Sequence, residues 1–220
     1  MTKRTYIGVL TVALAVVLAA GGLLASNMGF KLNYPLQALQ AGVSLSGTNT
    51  LALPDNRQAG VNAASSLMND IGLANVTNVQ KFLESNDGLQ VYTGRKGAGP
   101  DFPLATGEGY FVKMSTTVNY IVVGSHDPSF ANPLNALGGG SNSGTNFFSY
   151  PYHSTATTAS ALMNDIGLAN VTNVQKFLKT TDGLQVYTGR KGAGPDFALI
   201  PGEAYFVKMS TTVNYVPSHY

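Results

Sequence analysis

The chain carries the same stretch of sequence twice. Residues 67–120 and 162–215 align without a gap, and 47 of their 54 positions are identical. The shared text begins LMNDIGLANVTNVQKFL, continues through DGLQVYTGRKGAGPDF and ends in YFVKMSTTVNY. Such a duplication predicts two copies of one fold and two copies of any site that the fold carries. It favours binding, adhesion or assembly over a single catalytic cleft.

The duplication extends upstream of its near-identical part, although the lead-in segments have diverged. YPLQAL (34–39) resembles NPLNAL (132–137), and each is followed by a Gly- and Ser-containing stretch and then by Gly-Thr-Asn. We therefore place the first repeat at residues 28–125 and the second at 126–220, each long enough to bury a modest core. Because the tails hardly differ, we expect any functional difference between the repeats to lie in the lead-ins.

The N-terminal segment, residues 1–27, has the form of an export signal. Lys3 and Arg4 precede an uncharged apolar run at residues 6–25, which is the pattern of a secretory signal peptide. The run is also long enough to span a bilayer, so a retained signal anchor is the competing interpretation. A third interpretation, a buried helix, would need a partner surface on every side. Both main interpretations place the repeats outside the cytoplasm, with membrane contact only through residues 6–25 if they are uncleaved.

The composition excludes several classes of function. Charged residues make up 11% of the chain, and there is no cysteine for a disulfide or a thiolate metal site. Beyond Lys3 and Arg4, 11 basic residues balance 11 acidic ones, so the repeats have no electrostatic case for binding nucleic acid or anionic lipid. A largely neutral, polar surface is common in extracellular proteins.

Local patterns predict strands with one helix in each repeat. We predict strands for TLAL, for VTNVQKFL (76–83), for LQVYTG after a turn at Asn86-Asp87-Gly88, for YFVKM (110–114), and for VNYIVV (118–123). The helix should span 62–71 in repeat one; in repeat two it should start at Thr155 or Thr157 and end at Gly167. The expected fold class is α+β, mainly β: two tandem domains, each a small antiparallel sheet with one short helix, after an N-terminal hydrophobic helix.

This order of elements resembles a known kind of domain. A strand ending in Pro, a TASALMNDIG helix, an NVQKF strand and a terminal GExYFVKM strand resemble a repeated small β-rich domain of secreted and surface-attached bacterial proteins. The resemblance covers both repeats and not the N-terminal segment. It implies an extracellular or cell-surface location, and it brings no settled activity.

The loop RKGAGPD is the first candidate ligand site. Its glycines let the backbone approach a ligand closely, and its cations can meet an acidic group. The loop lacks the P-loop pattern and is not followed by a predicted helix. The alternative is an ordinary loop with solvated charges. The candidate ligand-binding residues are Arg95, Lys96 and Asp101 in repeat one and Arg190, Lys191 and Asp196 in repeat two.

Tyrosines around Pro151 are the second candidate. Repeat two has Tyr150 and Tyr152 where repeat one has Leu53 and Asp55, so a sugar ring stacked there would be bound by repeat two alone. The alternative is that both are half-buried strand residues. The pattern predicts no catalytic residues, no metal site and no cofactor.

These features support two hypotheses. The first is a non-enzymatic extracellular or cell-surface structural or adhesion protein, and the alternative is a pair of carbohydrate-binding modules. The expected partners are other copies of the chain or surface glycans, with no nucleic acid. An exported hydrolase is a third hypothesis, but it lacks a nucleophile–base pair in the sequence pattern.

Overall fold

A computed structural model describes residues 29–57, 59–94, 99–127, 129–189 and 194–218. The predicted signal or anchor at residues 6–25 lies outside them. Within these ranges the chain is mainly β, with antiparallel sheets and two short helices, which confirms the predicted fold class in its coarse form. Neither of these helices combines the length and apolar character that a membrane crossing requires.

The elements of the two repeats follow the same order. Repeat one contains β1 (Phe30–Leu36), β2 (Thr48–Ala52), β3 (Asn56–Arg57), α1 (Ala64–Ile71), a 3₁₀ turn (Leu73–Asn75), β4 (Val76–Leu83), β5 (Gly88–Tyr92), β6 (Gly109–Met114) and β7 (Val118–Ser125). Repeat two contains β8 (Asn132–Leu134), β9 (Thr145–Ser149), α2 (Ala159–Ile166), β10 (Val171–Leu178), β11 (Gly183–Tyr187), β12 (Ala204–Met209) and β13 (Val213–Tyr215).

Each repeat divides its strands between two sheets, and not one as the sequence suggested. The larger sheets have the orders β2-β6-β4-β5 and β9-β12-β10-β11, while the smaller ones are β1-β7-β3 and β8-β13. β6 and β7 are close in sequence but do not pair, because the amide of Ser115 bonds to the carbonyl of Asn75 and β7 pairs with the lead-in strand β1. The lead-in therefore contributes a strand to each repeat.

The β4–β5 hairpin has the predicted turn. Leu83 pairs with Gly88, and Asp87 adopts a positive φ of 52°, a conformation that Asp tolerates better than most residues. The equivalent Asp182 has the same φ. The turn is thus specified locally and identically in both repeats.

Helix α2 begins later than predicted. Its N-cap is Thr158, whose hydroxyl accepts a hydrogen bond from the amide of Ala161 at 3.2 Å, so the choice of Thr155 or Thr157 was wrong. The carbonyl of Thr157 accepts the amide of Leu199, which holds this part of the chain extended and delays the helix. The predicted end at Gly167, with φ 105°, is confirmed.

Each repeat has a core of its own between its two sheets and its helix. The alternation along β6 places Tyr110, Val112 and Met114 in that core, as the sequence predicts. Phe111 lies on the opposite face of β6, where it contacts the other repeat and not solvent. The outer faces of the two larger sheets therefore meet each other.

Candidate functional site

The two repeats share an interface with approximate two-fold symmetry, which we call the inter-repeat interface. Three pairs of equivalent hydrogen bonds cross it, each between 2.7 and 3.0 Å long. In each pair the first bond runs from repeat one to repeat two and the second is its counterpart in the opposite direction. The pairs are Ala52 N–H to Gly202 O and Ser149 N–H to Gly107 O; Leu45 N–H to Lys179 O and Asn142 N–H to Glu84 O; Ser46 Oγ to Asp182 Oδ1 and Ser143 Oγ to Asp87 Oδ1. Each bond from one repeat is answered by its counterpart from the other. This reciprocity is the hallmark of an isologous contact, formed here within one chain.

Aromatic rings fill the centre of the inter-repeat interface. Phe147 stacks between Phe111 and Phe206, with centroid separations of 4.6 and 4.5 Å. Phe82 meets Phe206 edge-on at 5.3 Å, and the equivalent Phe177 meets Phe111 at 5.5 Å. Edge-to-face and offset pairs at such distances stabilise beyond the area they bury. The interface is therefore a third apolar core.

One flank of the interface is filled by a tyrosine from β1, and we call it the Glu203 groove. The Tyr34 hydroxyl lies 3.4 Å from Glu203 Oε1 and accepts a hydrogen bond from Lys179 Nζ at 3.1 Å. Lys176 forms a salt bridge with the other oxygen of Glu203 at 3.1 Å. Burial, followed by the Glu203 charge, raises the pKa of Tyr34 well above its usual range, so the phenol is neutral.

The opposite flank is open, and we call it the Glu108 cavity. Asn132 occupies the position equivalent to Tyr34, and its amide donates to the carbonyl of Gly107 at 2.9 Å. The shorter side chain leaves a cavity of about 220 Å³. The exposed Ala105 and Pro133 lie at its mouth. The lining residues are Glu84, Ala105, Thr106, Gly107, Glu108, Asn132, Pro133, Leu134, Asn135, Asn146, Phe147 and Phe148.

Two carboxylates face this cavity. Glu108 is held by Lys81 at 2.8 Å and by the hydroxyl of Tyr110 at 3.0 Å. Glu84, which replaces the Lys179 of the other flank, accepts a hydrogen bond from the Asn135 amide at 3.1 Å. Burial raises the pKa of Glu84; the Asn135 bond opposes this effect and the Glu108 charge adds to it. The cavity thus offers hydrogen-bond acceptors in a partly desolvated setting.

A third feature, the Tyr152 cleft, lies where the connector between the repeats begins. The ring of Tyr152 stacks on Phe30, with centroids 3.7 Å apart and nearly parallel planes. Asp55, the counterpart of Tyr152 in repeat one, lies in the same cleft and contacts His126 Nδ1 at 3.2 Å. His126 and His153 rings are 4.1 Å apart. The cleft encloses only about 30 Å³.

The other predicted tyrosine has a structural environment. Tyr150 is 4% exposed, its hydroxyl donates to the carbonyl of Ala156 at 2.8 Å, and its ring meets Tyr205 edge-on. Both predicted tyrosines line the cleft, but they differ in exposure: Tyr152 is half-buried, whereas Tyr150 is buried in the core of repeat two.

The predicted loop aspartates bind the starts of the helices. Asp101 accepts hydrogen bonds from the amide and hydroxyl of Ser65, and Asp196 accepts the same pair from Ser160. Slight burial raises the pKa of Asp196, but the Ser160 hydroxyl and the backbone donors outweigh it and leave the pKa below its usual range. Carboxylates suit this position because helix N-termini carry unsatisfied N–H groups.

The four predicted basic residues of the loops lie outside the described residues. These are Arg95, Lys96, Arg190 and Lys191. Among the residues that are described, no three His, Asp or Glu side chains come together as a metal-binding group.

The inter-repeat interface was not predicted from the sequence, although the sequence carries a signal for it. The tails differ at only seven of 54 positions, and four of these differences lie at or beside the interface: Glu84/Lys179, Ala105/Ile200, Thr106/Pro201 and Gly109/Ala204. Substitutions concentrate where two copies of one surface meet, because one side chain there often excludes its own duplicate.

No family model, curated protein or solved structure matches this chain. A proposal for its function therefore depends on the chain's own residues.

Proposed function

We propose that this chain is a non-enzymatic structural or adhesion protein, secreted or displayed at the cell surface, in which the two repeats act as one rigid unit. The reciprocal inter-repeat interface carries the proposal, since hydrogen bonds and an aromatic core join the repeats from both sides. A joined pair presents both copies of a surface in a fixed orientation, which suits avidity and load-bearing contact.

The sequence and the surface support an extracellular role. Lys3 and Arg4 before the apolar run suit export. Three pairs of leucines are exposed at equivalent places, between 48% and 71%: Leu39 and Leu137, Leu73 and Leu168, and Leu89 and Leu184. Each pair offers the same apolar contact twice in one chain, which suits multivalent contact with other copies of the chain. The proposed partners are such copies or surface glycans.

Cell fractionation tests this proposal. The full chain and a form lacking residues 6–25, both with a C-terminal epitope, are expressed in cells that export proteins, and protease shaving scores surface exposure. We expect the full chain to reach the surface or the medium and the shortened form to remain inside, folded. A full chain that stays in the cytoplasm, or that is exported as a monomer binding neither cells nor itself, would contradict the proposal.

A second candidate function is carbohydrate binding. It is favoured by the Tyr152 cleft and the Glu108 cavity, each of which is lined by aromatic rings together with carboxylates; the Glu108 cavity adds side-chain amides. Polysaccharide pull-down tests it, with Tyr152→Ala set against Tyr150→Phe, which keeps the buried ring. Binding that survives Tyr152→Ala removes the Tyr152 cleft as the site, and failure of the native chain to bind any polysaccharide rejects this function.

A further inference from the structure

We propose that the Glu108 cavity binds one neutral, hydroxylated six-membered ring of a saccharide. The inference rests on the second proposed function, carbohydrate binding, and assigns it a site. It is carried by an internal comparison, because the same chain shows the equivalent place both filled and open.

The Glu203 groove shows what kind of group fits such a site. Tyr34 places a six-membered ring against Gly202, so closely that a Cβ on this glycine would lie 3.1 Å from Tyr34 Cδ2. The hydroxyl on that ring then meets Glu203 and Lys179. A planar or puckered ring that carries a hydroxyl therefore fits such a site. In the Glu203 groove, which residues of repeat two form, the protein supplies this ring itself as Tyr34 of repeat one.

The Glu108 cavity keeps the same frame without the ring. Gly107 is the counterpart of Gly202, and Glu108 is the counterpart of Glu203. Each of these glutamates accepts a hydrogen bond from the hydroxyl of a buried tyrosine, which for Glu108 is Tyr110 at 3.0 Å. Asn132 replaces Tyr34 and bends back to the Gly107 carbonyl. Asn132 packs against Gly107, where a Cβ would lie 2.6 Å from its Nδ2, but it carries no ring. The frame is thus repeated without the ring, and the cavity next to Asn132 has room for an external one.

The charges at the two flanks differ, and this difference selects the ligand. The Tyr34 hydroxyl contacts Glu203 and Lys179, and Lys176 pairs with the same glutamate. The cavity is instead lined by two carboxylates, Glu84 and Glu108, and Lys81 pairs with Glu108 from outside the lining. A phosphate or carboxylate would be repelled. Carboxylates accept several hydrogen bonds each, so a ring with several hydroxyl donors satisfies them best. Phe147 and Phe148 supply apolar wall for the C–H groups of such a ring.

The size of the cavity limits the ligand to one ring. At about 220 Å³ the cavity is somewhat larger than an apolar cavity of roughly 150 Å³ that binds one benzene ring, so its size suits a single six-membered ring. With Ala105 and Pro133 exposed at the mouth, the rest of a glycan would extend into solvent. The site is thus suited to a terminal sugar.

Refilling the cavity tests the proposal. In Asn132→Tyr the new ring should lie over Gly107 as Tyr34 lies over Gly202. Saturation-transfer NMR with a panel of methyl glycosides measures binding to the full chain. We expect millimolar binding by the native chain, at least tenfold weaker binding by Asn132→Tyr, and several-fold weaker binding by Glu84→Gln, which keeps the shape but removes a charge. Lys179→Gln, at the equivalent position of the filled groove, should bind as the native chain does.

Several outcomes would overturn the site. If a folded Asn132→Tyr chain binds methyl glycosides as the native chain does, or if Glu84→Gln and Lys179→Gln weaken binding equally, the sugar binds outside the Glu108 cavity. Either result would leave the proposal of carbohydrate binding itself intact. If no methyl glycoside binds the native chain, the site falls, and pull-down with intact polysaccharides decides separately on the second proposed function. Should Asn132→Tyr fail to fold, Glu84→Gln against Lys179→Gln decides alone.

Discussion

Gly109 faces its counterpart Ala204 across the inter-repeat interface. A Cβ built on Gly109 would be 2.4 Å from the Cβ of Ala204, its counterpart, and 3.1 Å from Phe147 Cδ1. One methyl group fits between the two strands, and two do not. Gly109→Ala should therefore destabilise the chain by overpacking, by about 1–3 kcal/mol, although its backbone conformation accepts alanine.

The paired substitution makes this prediction specific. Ala204→Gly alone removes a buried methyl, about 0.8 kcal/mol, and adds a flexible glycine to a strand, about 0.5–1 kcal/mol. Gly109→Ala with Ala204→Gly moves the single methyl to the other side of the axis. The double variant should then approach native stability, which implies a coupling energy of roughly 2–5 kcal/mol between positions 109 and 204.

Urea unfolding of the four chains in this cycle measures the coupling. Far-UV circular dichroism gives the midpoint and slope for each, and unchanged slopes allow the free energies to be compared. If the double variant is as unstable as the sum of the single ones, the repeats do not meet at Gly109 and Ala204. In that case the described interface is not the one present in solution.

Three further predictions concern the interface and one helix. Phe111→Ala should lower the free energy of unfolding by about 3–5 kcal/mol and split a single thermal transition into two, because the repeats lose their shared core. Phe82→Ala, which removes a half-buried edge contact, is the matched control. An equal effect of Phe82→Ala would refute the reasoning. Burial raises the pKa of Glu84, so the stability that Glu84 contributes is present below its pKa in the unfolded chain and is lost as pH rises through its pKa in the folded chain. Glu84→Gln should therefore raise the urea midpoint near pH 7 and leave it unchanged near pH 3. A higher midpoint at both pH values would contradict this prediction. Thr158→Ala should cost about 1 kcal/mol, measured by the urea midpoint, through loss of the bond to the Ala161 amide; no change would mean that Asp196 alone suffices at this helix start.

Local sequence predicted the parts of the fold that are determined locally. The strand-forming residues of VTNVQKFL predict β4, observed at Val76–Leu83, and Asp87-Gly88 predicts the turn that follows it. The turn depends on neighbouring residues alone, whereas β4 also pairs with β6. The boundary of α2 was missed because Thr157 and Leu199 pair across a loop, and no helix-start rule registers a partner 42 residues away.

The alternation along β6 was predicted correctly, yet its functional meaning was not. Phe111 alternates with core residues, so a single-sheet interpretation places it towards solvent. It is only 7% exposed because rings of the second copy cover it: Phe147, Phe177 and Phe206, the last being its own counterpart. A duplicated exposed aromatic is thus a signal for self-contact, and it can be found in a sequence when the repeat is recognised first.

The candidate site residues also depended on partners that are distant in sequence. Asp101 and Asp196 were chosen because charged residues in glycine-rich loops suit ligands, but the nearest unsatisfied groups are the N–H groups of a helix in the same repeat. Sequence spacing gives no means of choosing between the two partners, since Ser65 is 36 residues from Asp101. By contrast, we expected any functional difference between the repeats to lie in the lead-ins. The lead-ins contain Tyr34 and Asn132, the equivalent residues by which the two flanks of the inter-repeat interface differ.

Fusion of two copies into one chain has a physical consequence for any site at their interface. In a symmetric pair of separate subunits, a residue near the axis faces its identical copy, so a substitution that fills one flank fills the other as well. Once the copies are joined, each position mutates independently, and Tyr34 can close one flank while Asn132 leaves the other open. The Gly109 and Ala204 pair follows the same logic at the axis itself, where only an unequal pair packs well. Duplication thus gives this chain a shared frame, and divergence at the interface closes the Tyr34 flank of that frame while it leaves the Asn132 flank open.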